Sequence, residues 1–204
     1  TANSACENLD LQSSGAATYF KVNSSTTLNI GVKWQCISQA VNADIDVLVD
    51  GTVNVTNRFY VDGSSYNDFD FDMTVSSTGT VDVGFTSTNT VWLTATTAAT
   101  LVVDGTFICD GNLHFLIYYG TMDMDVTGTF DVKKDLKLNT RGAAGIIDFD
   151  IDGGTVDVDQ SIVLESTHGA SSANLLVDMK FAGARLEIKS AITLNGGGGT
   201  IAAN

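Results

Sequence analysis

A five-residue pattern, Gly-Thr-apolar-x-apolar, returns along the whole chain and limits what the chain can fold into. It reads Gly51-Thr-Val-Asn-Val55, Gly79-Thr-Val-Asp-Val83, Gly105-Thr-Phe-Ile-Cys109, Gly128-Thr-Phe-Asp-Val132 and Gly154-Thr-Val-Asp-Val158. A degenerate copy, Thr26-Thr-Leu-Asn-Ile30, precedes these, and Gly183-Ala-Arg-Leu-Glu-Ile188 follows with one residue inserted. The steps between anchors are 25, 28, 26, 23, 26 and 29 residues, a period near 26. Self-similarity at that spacing marks a solenoid, in which one small structural unit stacks on copies of itself.

Each repeat divides into three short segments that alternate apolar and polar residues, as half-buried strands do. The Gly-Thr segment is the first. The second begins four residues after its last apolar residue, as in Val55 to Phe59 and Val61, or Val132 to Leu136 and Leu138. The third runs into the next glycine, as in Ile45-Asp-Val-Leu-Val49 and Ile147-Asp-Phe-Asp-Ile151. Loops of variable length, such as Asn139 to Gly145 and Glu165 to Asn174, fall between the second and third segments. Three strands per turn with insertions confined to one corner predict an all-β, single-domain parallel β-helix of about seven coils, right-handed by the general rule for parallel connections. The competing fold, a sandwich of antiparallel strands, predicts turn signals after every strand and no long period. In the solenoid, Val53, Val81, Phe107, Phe130 and Val156 form one inward stack, and Val49, Val103, Val126, Ile151 and Phe181 another. The repeats are expected over 20–195, with 1–19 as an N-terminal capping or inter-subunit segment and 196–204 as a C-terminal tail.

Composition narrows the partners. Twenty-four acidic residues face ten basic ones in 204, a net charge of −14, so the chain lacks the cationic surface that nucleic acid or an anionic membrane requires. No apolar run reaches the ~18 residues of a membrane helix, so membrane insertion is not expected. The chain starts at Thr1 with no leader-like stretch, which reads as a mature, secreted chain. Cysteines 6, 36 and 109 are an odd count. A Cys6–Cys36 disulfide is the favoured pairing, against free thiols or bonds between chains, while Cys109 sits on an inward track as a buried thiol. Asn23-Ser-Ser25 and Asn54-Val-Thr56 are sequons that matter only in a eukaryotic secretory pathway.

Acidic residues line up on the outward positions. Asp46, Asp123, Asp148 and Asp178 occupy equivalent places in the third segment, with Asp125 and Asp150 one step further on. Along the first segment, Asn29, Asn54, Asp82, Asp131, Asp157 and Glu187 form a second column. Carboxylates stacked at the ~4.8 Å strand spacing repel one another. Two readings follow: the columns hold cations, calcium being the candidate for its preference for oxygen, or they are the solvated face that keeps a sheet from aggregating. Support for catalysis is thin. Arg58, Arg141 and Arg185 are scattered, His114 and His168 have no partner at ligand or triad spacing, and the aspartate pairs recur coil after coil instead of marking one place. The Thr-rich stretch from Thr94 to Thr100 does not repeat as Thr-x-Thr in every coil, which an ice-binding face would need. No cofactor is expected apart from that candidate calcium.

The Gly-Thr-Val-x-Val strands with alternating Asp resemble the repeat regions of bacterial extracellular adhesins and autotransporter passenger domains, over about residues 20–195. The resemblance implies an extracellular or cell-surface protein and assigns no residue a role. Neither end supplies an obvious cap for an apolar core. The expectation is therefore a non-enzymatic structural protein that self-associates head to tail into a filament or surface layer. The alternative is an adhesin stalk or carbohydrate-binding module of a larger surface protein, and a polysaccharide lyase or hydrolase comes third.

Overall fold

The computed structural model describes residues 2–63, 69–84, 89–95, 97–166, 175–182, 185–196 and 201–203. Every described strand pairing is parallel, and each strand between the two terminal coils lies between its counterparts in the coils before and after, so the chain winds into a β-helix with three faces. Among the described residues there is no helix, hence none long and apolar enough to cross a membrane.

The Gly-Thr segments build the first face as four-residue strands such as Thr52–Val55, Thr80–Val83, Thr106–Cys109, Thr129–Val132 and Thr155–Val158. The third face contains Ala17–Val22, Ala43–Val49, Phe69–Val75, Ala98–Val103 and Leu175–Ala182. Some strands run through a corner: Ala2–Ser13 and Thr26–Ser38 serve the first and second faces, Asn112–Val126 and Leu136–Asp152 the second and third.

Both expected stacks are present in register. On the first face Ser4, Leu28, Val53, Val81, Phe107, Phe130, Val156 and Leu186 follow one another. On the third, Val22, Val49, Val75, Val103, Val126, Ile151 and Phe181 do so. The middle rungs are fully buried, each worth roughly 1.5–3 kcal/mol. Aromatic rings continue the stacking, with Trp34 and Phe59 centroids 4.5 Å apart and Phe107 and Phe130 5.4 Å apart.

The anchor glycines mark the corner between the third and first faces, and what they provide is space. None of Gly51, Gly79, Gly105, Gly128 and Gly154 has positive φ. A Cβ on them would lie 2.3, 2.1, 2.2, 2.1 and 2.6 Å from a backbone carbonyl oxygen of the preceding coil. The corner is this tight because the coils hydrogen-bond through it: the N–H groups of Thr127 and Gly128 both donate to the Val103 carbonyl, at 3.1 and 2.9 Å. The Thr129 N–H then donates to the Gly105 carbonyl at 2.8 Å.

Three expectations are corrected. The N-terminal segment is not separate from the repeats: Ala2 to Cys6 pair with Thr26 to Ile30, and Asn8 to Ser13 with Lys33 to Ser38, so these residues are already part of a coil. The C-terminal tail likewise contains a short third-face strand, Ile201–Ala203, lying on Leu175 to Val177. The Cys6–Cys36 disulfide is not made. Cys6 lies on Ile30 in the first face whereas Cys36 lies on Leu11 in the second, and all three cysteines are free. Cys36 instead interacts with the Trp34 side chain, and burial pushes its thiol well up. Cys109 is buried as expected, its thiol raised to about 12 chiefly by burial. The Gly183 anchor, His168 and residues 197–200 lie outside the described residues, as do the side chains of Arg141, Asp178 and Phe181.

Candidate functional site

On the third face the strand register aligns the positions that alternate with the inward ones. One column runs Tyr19, Asp46, Asp72, Thr100, Asp123, Asp148, Asp178, and the next Lys21, Leu48, Thr74, Val102, Asp125, Asp150, Lys180. The columns are therefore broken: Thr100 divides the first, and in the second Val102 precedes the Asp125–Asp150 pair.

The denser described patch is the one nearer the N-terminus. There a further column, Asp44 on Asp70, stands beside Asp46 on Asp72. Carboxylate oxygens of Asp44, Asp46 and Asp72 all lie within 4.8 Å of one another. Burial, followed by the charges of Asp46, Asp72 and Asp70, raises the Asp44 carboxyl above its ordinary value. Three converging carboxylates are an oxygen donor set of the kind a hard divalent cation takes. Of the expected ligands only Asp46 belongs to this group. Asp123 and Asp148 share a rung, as do Asp125 and Asp150. The third acid of the Asp123–Asp148 patch, Asp178, is in register, but its side chain is outside those described.

A raised acid retains its proton in the folded chain at a pH where the unfolded chain has lost it. Stability therefore falls as pH rises from the ordinary carboxylate value through the raised one. Replacing Asp44 by asparagine removes a like charge from the rung and is expected to stabilise the chain in chelator by on the order of 0.5–1 kcal/mol. The same change should abolish any stabilisation by calcium. Thermal melts in calcium and in EDTA at low ionic strength check both, and identical melting of the parent chain in the two would end the cation reading.

The first face handles its acids differently. Its column begins with uncharged residues, Ala5, Asn29 and Asn54, and the Asn54 amide donates to Asn29 Oδ1 at 2.8 Å. Toward the C-terminus it becomes Asp131, Asp157 and Glu187, and bases accompany them: Lys133 lies 2.5 Å from Asp131, Lys189 3.5 Å from Asp157, and Arg185 contacts Glu187. Beside it runs a single file of threonines, Thr27, Thr52, Thr80, Thr106, Thr129 and Thr155. This column, and not the stretch Thr94 to Thr100, is where threonine repeats from coil to coil, as the second residue of each anchor.

On the second face, His114 follows Tyr60 and Trp92 and precedes Lys137 on an outward column, yet it is only 7% exposed. Burial, reinforced by Lys137 and opposed by Glu165, lowers its imidazole to about 4, so it is neutral at physiological pH. Asn139 donates to Glu165 Oε2 at 3.1 Å, and Lys137 pairs with the same carboxylate. Spacing along the chain could not reveal this group, because its members come from three successive coils.

The two ends are a different kind of surface. At the N-terminal end the inward residues Cys6, Leu9, Leu11, Phe20 and Leu28 are only partly buried. A hollow of about 200 Å³ is lined by Ser4, Phe20, Lys21, Val22, Asn23, Thr26 and Leu28. At the other end, Leu186 and Ile188 are partly buried, and Ile192, an inward residue of the second face, is 54% exposed. No protein-family model matches the chain, and no match was found among curated proteins or solved structures.

Proposed function

We propose that this chain is a non-catalytic, extracellular or cell-surface structural protein whose coils stack head to tail on those of another copy, building a β-helical filament or layer. The observation that carries the reading is the exposure of the inward ladder at the ends. Ile162, one coil in from the end, is fully buried, whereas Ile192 on the next rung of the same column is 54% exposed. A further coil supplies what that rung lacks, and it also satisfies the edge N–H and C=O groups that a parallel sheet leaves open. The extracellular assignment rests on the resemblance to adhesin repeats and on the acidic surface, which holds rods apart laterally by repulsion.

The test is sedimentation velocity and negative-stain imaging over a rising concentration series. The expected result is rods that lengthen with concentration at constant width. Rods of one fixed length at every concentration would overturn self-assembly and favour the stalk reading, in which the neighbouring coils belong to the same larger polypeptide.

A further inference from the structure

We infer that the junction between copies is in register, with Ile188 of one copy stacked on Cys6 of the next and Leu186 entering the hollow at Ser4. This rests on the head-to-tail reading above and specifies the partner surface. Ile188 and Cys6 are the two ends of one inward column, which runs Cys6, Ile30, Val55, Val83, Cys109, Val132, Val158, Ile188. Ser4 and Leu186 are likewise the two ends of the column beside it. Serine is the smallest residue in that column, and it lines the hollow of about 200 Å³ in the N-terminal coil. Leucine on the other end is the knob of matching kind.

Charge favours the same register. With Ile188 over Cys6, Glu187 meets Ala5, so the acidic column of the first face is continued by neutral residues and not by another carboxylate. Lys189, paired with Asp157 and Asp159 in its own copy, and Glu7, at the irregularity between Cys6 and Asn8, flank that rung with opposite charges. The last coil presents a strand on each of three faces, so a stack displaced along one face loses its match on the other two, and this specifies the register once the ends meet.

The experiment uses the full chain carrying Ile188→Cys, oxidised with diamide and read on non-reducing gels beside electron micrographs. Cysteine is accepted in this column, since Cys109 occupies it fully buried. Rungs ~4.8 Å apart lie within the Cα separation a disulfide spans. Cys36 and Cys109 are buried and do not compete. The expected result is a ladder of covalent multimers that disappears when Cys6→Ser is added, with no ladder from Glu187→Cys, one residue away on the outward face. Filling the hollow by Ser4→Trp should raise the concentration at which assembly begins at least tenfold. Filaments that give no Ile188→Cys ladder, that cross-link equally through Glu187→Cys, or that form unhindered with Ser4→Trp would overturn the register while leaving head-to-tail assembly standing. Fixed-length rods without multimers would overturn both.

Discussion

Replacing Phe130 by alanine is expected to cost about 3–5 kcal/mol of folding free energy. Its side chain is fully buried, stacked 5.4 Å from Phe107 on the rung before and 6.3 Å from Phe149 on another face. The cavity cannot close by collapse, because the coils on either side are held at the strand spacing by backbone hydrogen bonds. Leu186→Ala is the comparison: the leucine lies in the same column at the open end, is partly buried, and should lose less than half as much. Urea unfolding of the two variants measures the difference, with the slope checked because long repeat arrays need not melt in one step. Equal losses would show that burial is not graded along the rod.

The second large effect is expected at Gly128. Alanine there places a Cβ 2.1 Å from the Gly105 carbonyl oxygen and 2.5 Å from that of Asp104, and both are backbone atoms that cannot rotate aside. Either the coils separate at that corner, breaking the bonds to Val103 and Gly105, or the strands shift. Overpacking of this severity costs about 3 kcal/mol. The neighbouring Gly153 is the informative control. Its φ of +76° is unfavourable for alanine, but nothing lies within 4 Å of the added methyl. That change should cost only about 1–2 kcal/mol, the ordinary left-handed penalty. Comparable melting of Gly128→Ala and Gly153→Ala would mean that the corner is looser than the glycine column implies.

Much of this architecture can be read in the chain itself, because a solenoid writes one rung per repeat. The Val53 to Val156 ladder and the Asp46, Asp123, Asp148 alignment follow from counting out from each Gly-Thr anchor. The first coil could not be found this way. Ala2, Ser4 and Cys6 are small and lack the Gly-Thr signal. Asp44, Asp70 and Asp72 were missed as a group for another reason. Each looks like one more outward polar residue, and only the pairing of two coils shows four acids on adjacent rungs. The glycine anchors were visible, but their purpose was not: a close approach of coil to coil has no local signature in φ or in flanking residues. The burial of His114 is equally silent in sequence, since alternation places it on an outward track.

The parallel register, in which each strand pairs only with the coil before and the coil after, also bears on how the chain comes to be folded. Any residue's partner is about one repeat away along the chain, so the entropy of closing each loop is nearly the same for every coil and does not grow with the length of the rod. The slow event is forming the first stacked pair of coils; after that, each further turn adds to a template already in place. A chain delivered from one end, as from a ribosome, can therefore add its turns in the order in which they emerge. Each newly completed turn becomes the surface on which the next one forms.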